Sequence, residues 1–440
     1  MLDNWPVTEP APPSAPSGIR TAPSVRPAPV AGPGPAVAGA LRRAAPALWA
    51  YAAVRVLGVA VLALWGTATG KDAHHLLSGR WDAVWYSRIA EDGYGYTLAL
   101  AGGKVHSDLA FFPLLPWLER GLSAVLPLSA ADAGLLVSAV ASLAAAAGIF
   151  AVGERLHGRR AGVALVVLWA VLPVGVVQSM AYSESLFTAL AAWSLYAVLT
   201  GRWPAAGVCA ALAGLTRPVG AAVVAAVWVT AAVTLLRWDR RPGTPDVPEP
   251  RWDRHPESPN RPGPRRDRHP ESPDRPEPRR MLLGVALAPL GWLGYVVWVG
   301  VRTGGPAGYL DVQGGWGNGF DGGVAFGSFI VGRFTGAAWP AGLGLLVGVV
   351  LVVWLYVAGA RRGQPLPLLV YSGTVLLLAL TAKGYFGSKP RLMLPAFPLL
   401  LPLATALATL RTARAAATAG ALALAAACYG AFWLNGSGPP

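Results

Sequence analysis

Stretches of about 20 apolar residues recur along this chain, separated by short loops that carry arginine. Each is long enough to cross a hydrocarbon core of ~30 Å. In lipid every backbone N–H and C=O must be satisfied within the protein, so such segments are restricted to helices bundled across a bilayer. Composition agrees: 13% of the residues are charged and 54% hydrophobic, against roughly 25% charged in a soluble domain. The fold class read from this pattern is an all-α polytopic membrane protein. The net charge of +14 could signal a nucleic-acid partner. However, the arginines sit in loops beside apolar segments, where the positive-inside bias accounts for them, and no nucleic acid is expected. Cys209 and Cys428 fall inside apolar segments as small core residues rather than a disulfide or metal ligands. No Cys/His metal spacing occurs, and no metal site or cofactor is implied. Lysine is confined to Lys71, Lys104, Lys383 and Lys389, and the excess of Arg, Ala, Gly and Pro fits a GC-rich bacterial genome.

The order of segments predicts about eleven spans, at 46–66, 132–153, 161–180, 186–199, 204–236 (two), 281–301, 339–360, 365–382, 392–410 and 415–433. Residues 1–45, rich in Pro, Ala and Ser, read as a disordered cytosolic tail. The arginines before the first span place the N-terminus in the cytosol. Arg55, inside that span, reads as snorkelling or paired within the bundle. A first membrane module covers 46–236 and contains a long external loop, 67–131. Within it, residues 108–117 are amphipathic and broken by prolines, as expected of an interfacial or re-entrant helix. The run 204–236 is interrupted at Thr216-Arg217-Pro218, and two short helices with Arg217 at their external turn are favoured over one kinked helix. Residues 237–280 hold three tandem repeats beginning RWDRRPG, RWDRHPE and RRDRHPE. His255 and His269 recur at the repeat period but lack co-ligands, so this insert reads as solvated, disordered and cytosolic. A second membrane module covers 281–440, with external loops at 302–336 and 383–391. Every short basic loop then faces the cytosol except 383–391.

That exception directs attention to the external polar residues: Arg80, Asp82, Arg88, Glu91, Asp92, Asp108, Glu184, Arg217, Lys389 and Arg391. The densest group is RWDAVWYSRIAEDGY, residues 80–94. A carboxylate here could deprotonate an acceptor hydroxyl. Arg and Lys at the interface could hold a phosphate, Arg as a fork and Lys as a point charge. A base beside a phosphate clamp is what glycosyl transfer from a lipid-linked sugar phosphate needs. If 80–94 is helical, Asp82 and Tyr86 share a face, as do Trp85 and Ile89. The residues alone leave a second reading open, an aromatic belt of Trp81, Trp85, Tyr94 and Tyr96 at headgroup depth with incidental charges.

RWDAVWYSRIAEDGY, followed by AFFPLLP, AYSESLF, GLTRPVG and KPRLMLPAFP, resembles the order of motifs in PIG-V-type proteins. These are GPI mannosyltransferase 2 and its bacterial relatives, among the GT-C glycosyltransferases. The resemblance covers roughly 46–236 and 281–434, and the insert at 237–280 departs from the family. It implies a GT-C-like fold in the plasma membrane and an inverting transferase working on the extracytoplasmic face. The implied donor is a polyprenyl-phosphate-linked sugar, usually mannose; the acceptor is a glycolipid or other membrane-proximal molecule, with membrane lipids as surroundings. Carried over residue by residue, Asp82 is the candidate general base and Arg80 and Trp81 complete its motif. Glu184 and Arg217 match further positions, and Arg217 or Arg391 is the candidate for the donor phosphate. Tyr86, Glu91, Asp92, Asp108 and Lys389 complete the expected substrate-binding set. Asp82 has no DxD partner, and no GPI-specific feature identifies the acceptor. The alternative is a transporter or flippase, which would usually show repeat-related halves and midplane charges. Here the charges collect at one surface, and the full motif RWDAVWYSRIAEDGY has no second copy; the RWD triplets at 237 and 251 belong to the repeat insert. A non-enzymatic scaffold would leave the external cations unexplained.

Overall fold

The computed structural model describes residues 33–239, 278–335, 339–436 and 438. Residues 1–32 of the expected tail and 240–277 of the repeat insert lie outside the described residues. The chain divides into residues 1–42 and 43–440; of the first unit the described residues, 33–42, are helical.

Helix α1 (Pro33–Thr69) begins well before the expected boundary near 46, because residues 36–45 are mostly Ala, Leu and Arg, all strong helix formers. Short helices α2 (Ala73–Ser78) and α3 (Asp82–Asp92) follow. The chain then forms a ribbon of β1 (Thr97–Ala99) and β2 (Val105–Ser107), paired antiparallel with Leu98 opposite His106. Next come α4 (Leu114–Val125) and α5 (Ala130–Ala170). The latter combines two expected spans across a break at Gly158, whose φ of 81° only glycine adopts readily. Helices α6 (Glu184–Leu199), α7 (Trp203–Gly214) and α8 (Ala221–Asp239) complete this half. The interruption at Thr216-Arg217-Pro218 separates α7 from α8, as the two-helix reading required.

After the insert come α9 (Pro278–Leu287), α10 (Leu290–Thr303), α11 (Gly308–Gly315), the two-residue strand β3 (Gly319–Phe320) and α12 (Val324–Arg333). Helices α13 (Trp339–Arg361) and α14 (Leu366–Thr381) lead to β4 (Ala382–Lys383), which pairs with β3. Then α15 (Lys389–Met393), α16 (Leu401–Thr409) and α17 (Thr412–Asn435) end the chain. The two short ribbons were not foreseen. The first is one loop pairing with itself and the second joins two loops distant in sequence, and neither has an alternating apolar pattern to announce it.

Among the described residues, six helices can cross a membrane by length and composition, or seven if the bent pair Phe386–Met393 and Phe397–Thr409 counts as one. The protein is therefore an all-α polytopic membrane protein. Helices stand at every position expected to span, yet fewer than eleven are long enough alone, because α6, α7 and α14 have only 10–17 residues and α5 counts once. The bent pair turns by 76° where Pro395 and Pro398 remove helical N–H donors.

Tyr51, Trp169, Tyr182, Phe187 and Phe397 are among the largest fully buried side chains. Polar atoms within this core are satisfied in series. The Tyr51 hydroxyl donates to Gln178 Oε1 (3.0 Å), Gln178 Nε2 donates to Trp169 O (2.9 Å), and Trp169 Nε1 donates to Leu394 O (3.1 Å). One chain of bonds thus ties α1 and α5 to the bend after α15, where an unmet donor would be costly. Arg55 is half-buried and pairs within the bundle. It donates to the carbonyls of Ala170 and Gly175, closing the end of α5. Helix α7 meets α9 and α10 backbone to backbone: a Cβ added at Gly291 would lie 1.8 Å from Ala211 O, and one at Gly284 2.2 Å from Trp203 O. Small residues permit such close approach in membrane bundles.

Candidate active site

Asp82 opens α3, and the residue before it is the only non-glycine described with positive φ: Trp81, at φ 53° and ψ −122°. That conformation costs an L-residue about 1–3 kcal/mol and persists only where its surroundings impose it. The surroundings are visible. Arg80 lays its guanidinium 4.0 Å from the centroid of the Trp81 ring and donates to Leu434 O (2.8 Å) and Gly436 O (3.0 Å) at the end of α17. Arg80 and Trp81 therefore fix the entry into α3 from the side of α17, with Arg80 serving as a helix cap.

One turn of α3 carries Asp82 and Tyr86 on the same face, and both line a cavity of about 390 Å³. Tyr86 is buried and its hydroxyl shares a 2.8 Å hydrogen bond with Ser183 Oγ. Burial raises its phenol far above the ordinary value, so it stays neutral. Behind it lies an aromatic wall. Trp85 stacks on Phe111 at 5.6 Å, Tyr86 meets the same ring edge-on at 5.2 Å, and Trp316 packs against both Trp85 and Phe111. The aromatic residues of the motif thus pack mainly inward. Tyr96 is the most exposed of them, with Arg88 3.8 Å above its ring.

The charged centre is a chain of four side chains. Glu184, the first residue of α6, is 1% exposed and pairs with Arg217 from the α7–α8 turn. Glu184 Oε1 also lies 3.2 Å from Nε of Arg391, and Nη2 of Arg391 contacts Asp82 Oδ2 at 2.9 Å. Arg391 reaches this point because it sits in α15, immediately before the 76° bend. Its Nη1 is buried with no hydrogen-bond partner among the described residues. Glu184 touches no open space, so its geometry is that of a positioning residue. Asp82, with 24% of its side chain exposed, is reachable from the cavity. Lys389 lines the same cavity, but its ammonium donates to Ala379 O (2.6 Å) and to Ala382 O, capping α14.

The remaining expected site residues lie elsewhere. Asp108 is buried and accepts the backbone N–H groups of Gly95 and Tyr96, each at 2.8 Å, which holds the β1–β2 ribbon. Glu91 and Asp92 are exposed at the far end of α3, where the Glu91 carbonyl accepts from Arg120 at 3.0 Å. Conversely, the cavity is lined by residues outside the candidate site set: Gln313, Trp316 and Asn318 of the loop region 302–336, and Lys383 and Ser388. The only advance signal was their place in loops on the expected external side.

Lys389 lines a second cavity as well, of about 350 Å³. That cavity is otherwise walled almost wholly by apolar side chains of α13, α14 and the bent pair, including Leu345, Val349, Val352 and Phe397. A charged cavity and an apolar cavity thus adjoin at one lysine.

Residues 109–243 match a family model described as dolichyl-phosphate-mannose-protein mannosyltransferase; the match covers less than half of the chain. No curated protein matches the sequence. Among solved structures, the chain is similar to ArnT from Cupriavidus metallidurans, bound to undecaprenyl phosphate and in the apo state. Identities are 15% and 16%, each TM-score is 0.46, and each similarity covers 83% of this chain. This chain spans 61% of the length of those structures.

Proposed function

We propose that the protein is a membrane glycosyltransferase of GT-C type that moves a sugar, mannose in the first instance, from a polyprenyl-phosphate donor to a membrane-proximal acceptor. The observation that carries this reading is Arg391, which lines the cavity, holds the reachable carboxylate of Asp82 with one nitrogen and carries another, Nη1, buried with no hydrogen-bond partner among the described residues. A carboxylate able to take a proton and a guanidinium with capacity left for an anion then line one space. The adjoining apolar cavity suits an isoprenoid tail, and the family model matching 109–243 is consistent with this chemistry.

In the proposed reaction an acceptor hydroxyl attacks the anomeric carbon and gives its proton to Asp82. The bond from that carbon to the phosphate oxygen breaks, and its electron pair stays on the departing polyprenyl phosphate. Attack opposite the leaving group inverts the anomeric centre. Asp82 loses its charge as the phosphate gains one. Arg391, in contact with Asp82 and carrying a spare N–H, can pass its compensation from one to the other without leaving Glu184. Preorganised charge of this kind is where most transferase catalysis is expected to come from. The site is read as extracytoplasmic, because the loops that build it are those opposite the arginine-rich loops.

The test is incubation of purified protein with labelled polyprenyl-phosphate-mannose and membrane lipid extract, followed by identification of the labelled product. Labelled product that is lost with Asp82→Asn supports the reading. If label remains on the donor with every extract while the sugarless lipid phosphate is bound and translocated across vesicles, the flippase alternative is correct instead.

A further inference from the structure

Charge accounting at the cavity raises a question that the arginines do not answer. Arg217 and Arg391 are matched by Glu184 and Asp82, so that buried chain is neutral as a unit. Lys389 spends its N–H groups on carbonyls and lies 5.1 Å from the centroid of the Phe326 ring. Among the described residues that line the cavity, Lys383 is the cation whose ammonium has neither a hydrogen bond nor an ion pair. It is exposed, so it can move toward a ligand. Its backbone is held in place: Lys383 pairs with Gly319 in the β3–β4 ladder, and the next residue, Gly384, has φ 149° and packs against Asn318. The ladder thus fixes a mobile ammonium over the same space that Asp82 and Arg391 face.

We infer that Lys383 supplies the net positive charge that holds the phosphate headgroup of a lipid in this cavity, with the two buried arginines acting mainly as its oriented frame. This rests on the glycosyl-transfer reading above. A sugar phosphodiester carries one negative charge and the departing monoester two. Among the described residues Lys383 has no carboxylate partner and matches the former charge alone; Lys389, which Asp321 offsets in part, adds to it as the latter forms. A solvated point charge of this kind attracts a headgroup from outside and is screened by salt, unlike the buried arginines.

The experiment measures binding of undecaprenyl phosphate, undecaprenol and inorganic phosphate to purified full-length protein in detergent, at low and high salt. Lys383→Met is expected to weaken undecaprenyl phosphate binding about ten- to a hundredfold and to flatten its salt dependence. Lys383→Arg should restore most of both, and undecaprenol binding should not change. Undecaprenyl phosphate binding by Lys383→Met equal to the unaltered protein, with the same salt slope, overturns the inference and leaves glycosyl transfer standing. Failure of the unaltered protein to prefer undecaprenyl phosphate over undecaprenol overturns the transferase reading and this inference together. Inorganic phosphate binding as tightly as the lipid, with the same Lys383 dependence, overturns the lipid assignment in favour of a free phosphate.

Discussion

Arg391 and Asp82 stand 2.9 Å apart, guanidinium to carboxylate, although they are separated by most of the chain and arrive from opposite modules. The contact ties the start of α3 to the bent pair that contains α15 and α16, and it fixes how each residue is presented. Arg391 orients the Asp82 carboxylate at the cavity that both residues line.

Asp82→Asn keeps the shape of the side chain and removes its basicity. Sugar transfer should fall by about 10²–10⁴-fold, the usual worth of a positioned general base, with membrane insertion and detergent elution unchanged. Transfer by purified Asp82→Asn within a few-fold of the unaltered protein would remove Asp82 from the base role.

How much of this was legible beforehand varies by residue for physical reasons. Helix positions followed from segment length and apolar content, because lipid leaves few other solutions. Asp82 with Tyr86 followed from helical periodicity, and the break at Arg217 from the proline after it. What could not be read was the division of labour among charges. Arg80 looked like part of the catalytic motif but closes the end of α17, and Asp108 holds a ribbon. These roles depend on which backbone groups the tertiary fold leaves unsatisfied, which no local pattern encodes. Lys383 belongs to no motif, and its position comes from pairing with a glycine more than sixty residues earlier.

Glu184 presents a different balance, because it is buried against two guanidinium groups. Glu184→Gln should leave both arginines under-compensated at a cost of about 3–5 kcal/mol. A clearly lower Tm in detergent is expected, with loss of transfer that lowered temperature does not fully restore. Unchanged Tm and activity would show that Glu184 does not hold the arginines.

Glu119 of α4 titrates out of the ordinary range. It is 1% exposed, neither carboxyl oxygen has a hydrogen-bond partner among the described residues, and a Cβ added at Gly134 of α5 would fall 2.5 Å from its Oε1. Burial, with the Glu91 charge adding to it, pushes its carboxyl up to about 9 from an ordinary value near 4.5. The folded state therefore binds a proton that the unfolded state releases. The stabilisation is complete below the unfolded pKa and is lost as pH rises toward about 9, at about 1.4 kcal/mol per pH unit. Glu119→Gln lacks this loss, so its Tm relative to the unaltered protein should climb steadily from pH 5 to pH 9. A constant Tm difference across that range would mean that Glu119 is already ionised.

The repeat insert joins α8 to α9, and those helices hold each other without it. Trp228 Nε1 donates to Val285 O at 2.9 Å, and the α7–α9 contact at Gly207 and Gly284 leaves no room for a side chain on either. The cavity residues come from α3, α11, α15 and their adjoining loops, and from the α7–α8 turn, not from the ends of the insert. Replacing residues 240–277 by a Gly/Ser linker long enough to bridge the ends should therefore leave transfer within about twofold and Tm nearly unchanged, since flexible loop length changes closure entropy only slowly. The measurement is initial rate and Tm of the deletion beside the full chain. A deletion that inserts and melts normally yet transfers no sugar would give the repeats a part in the reaction.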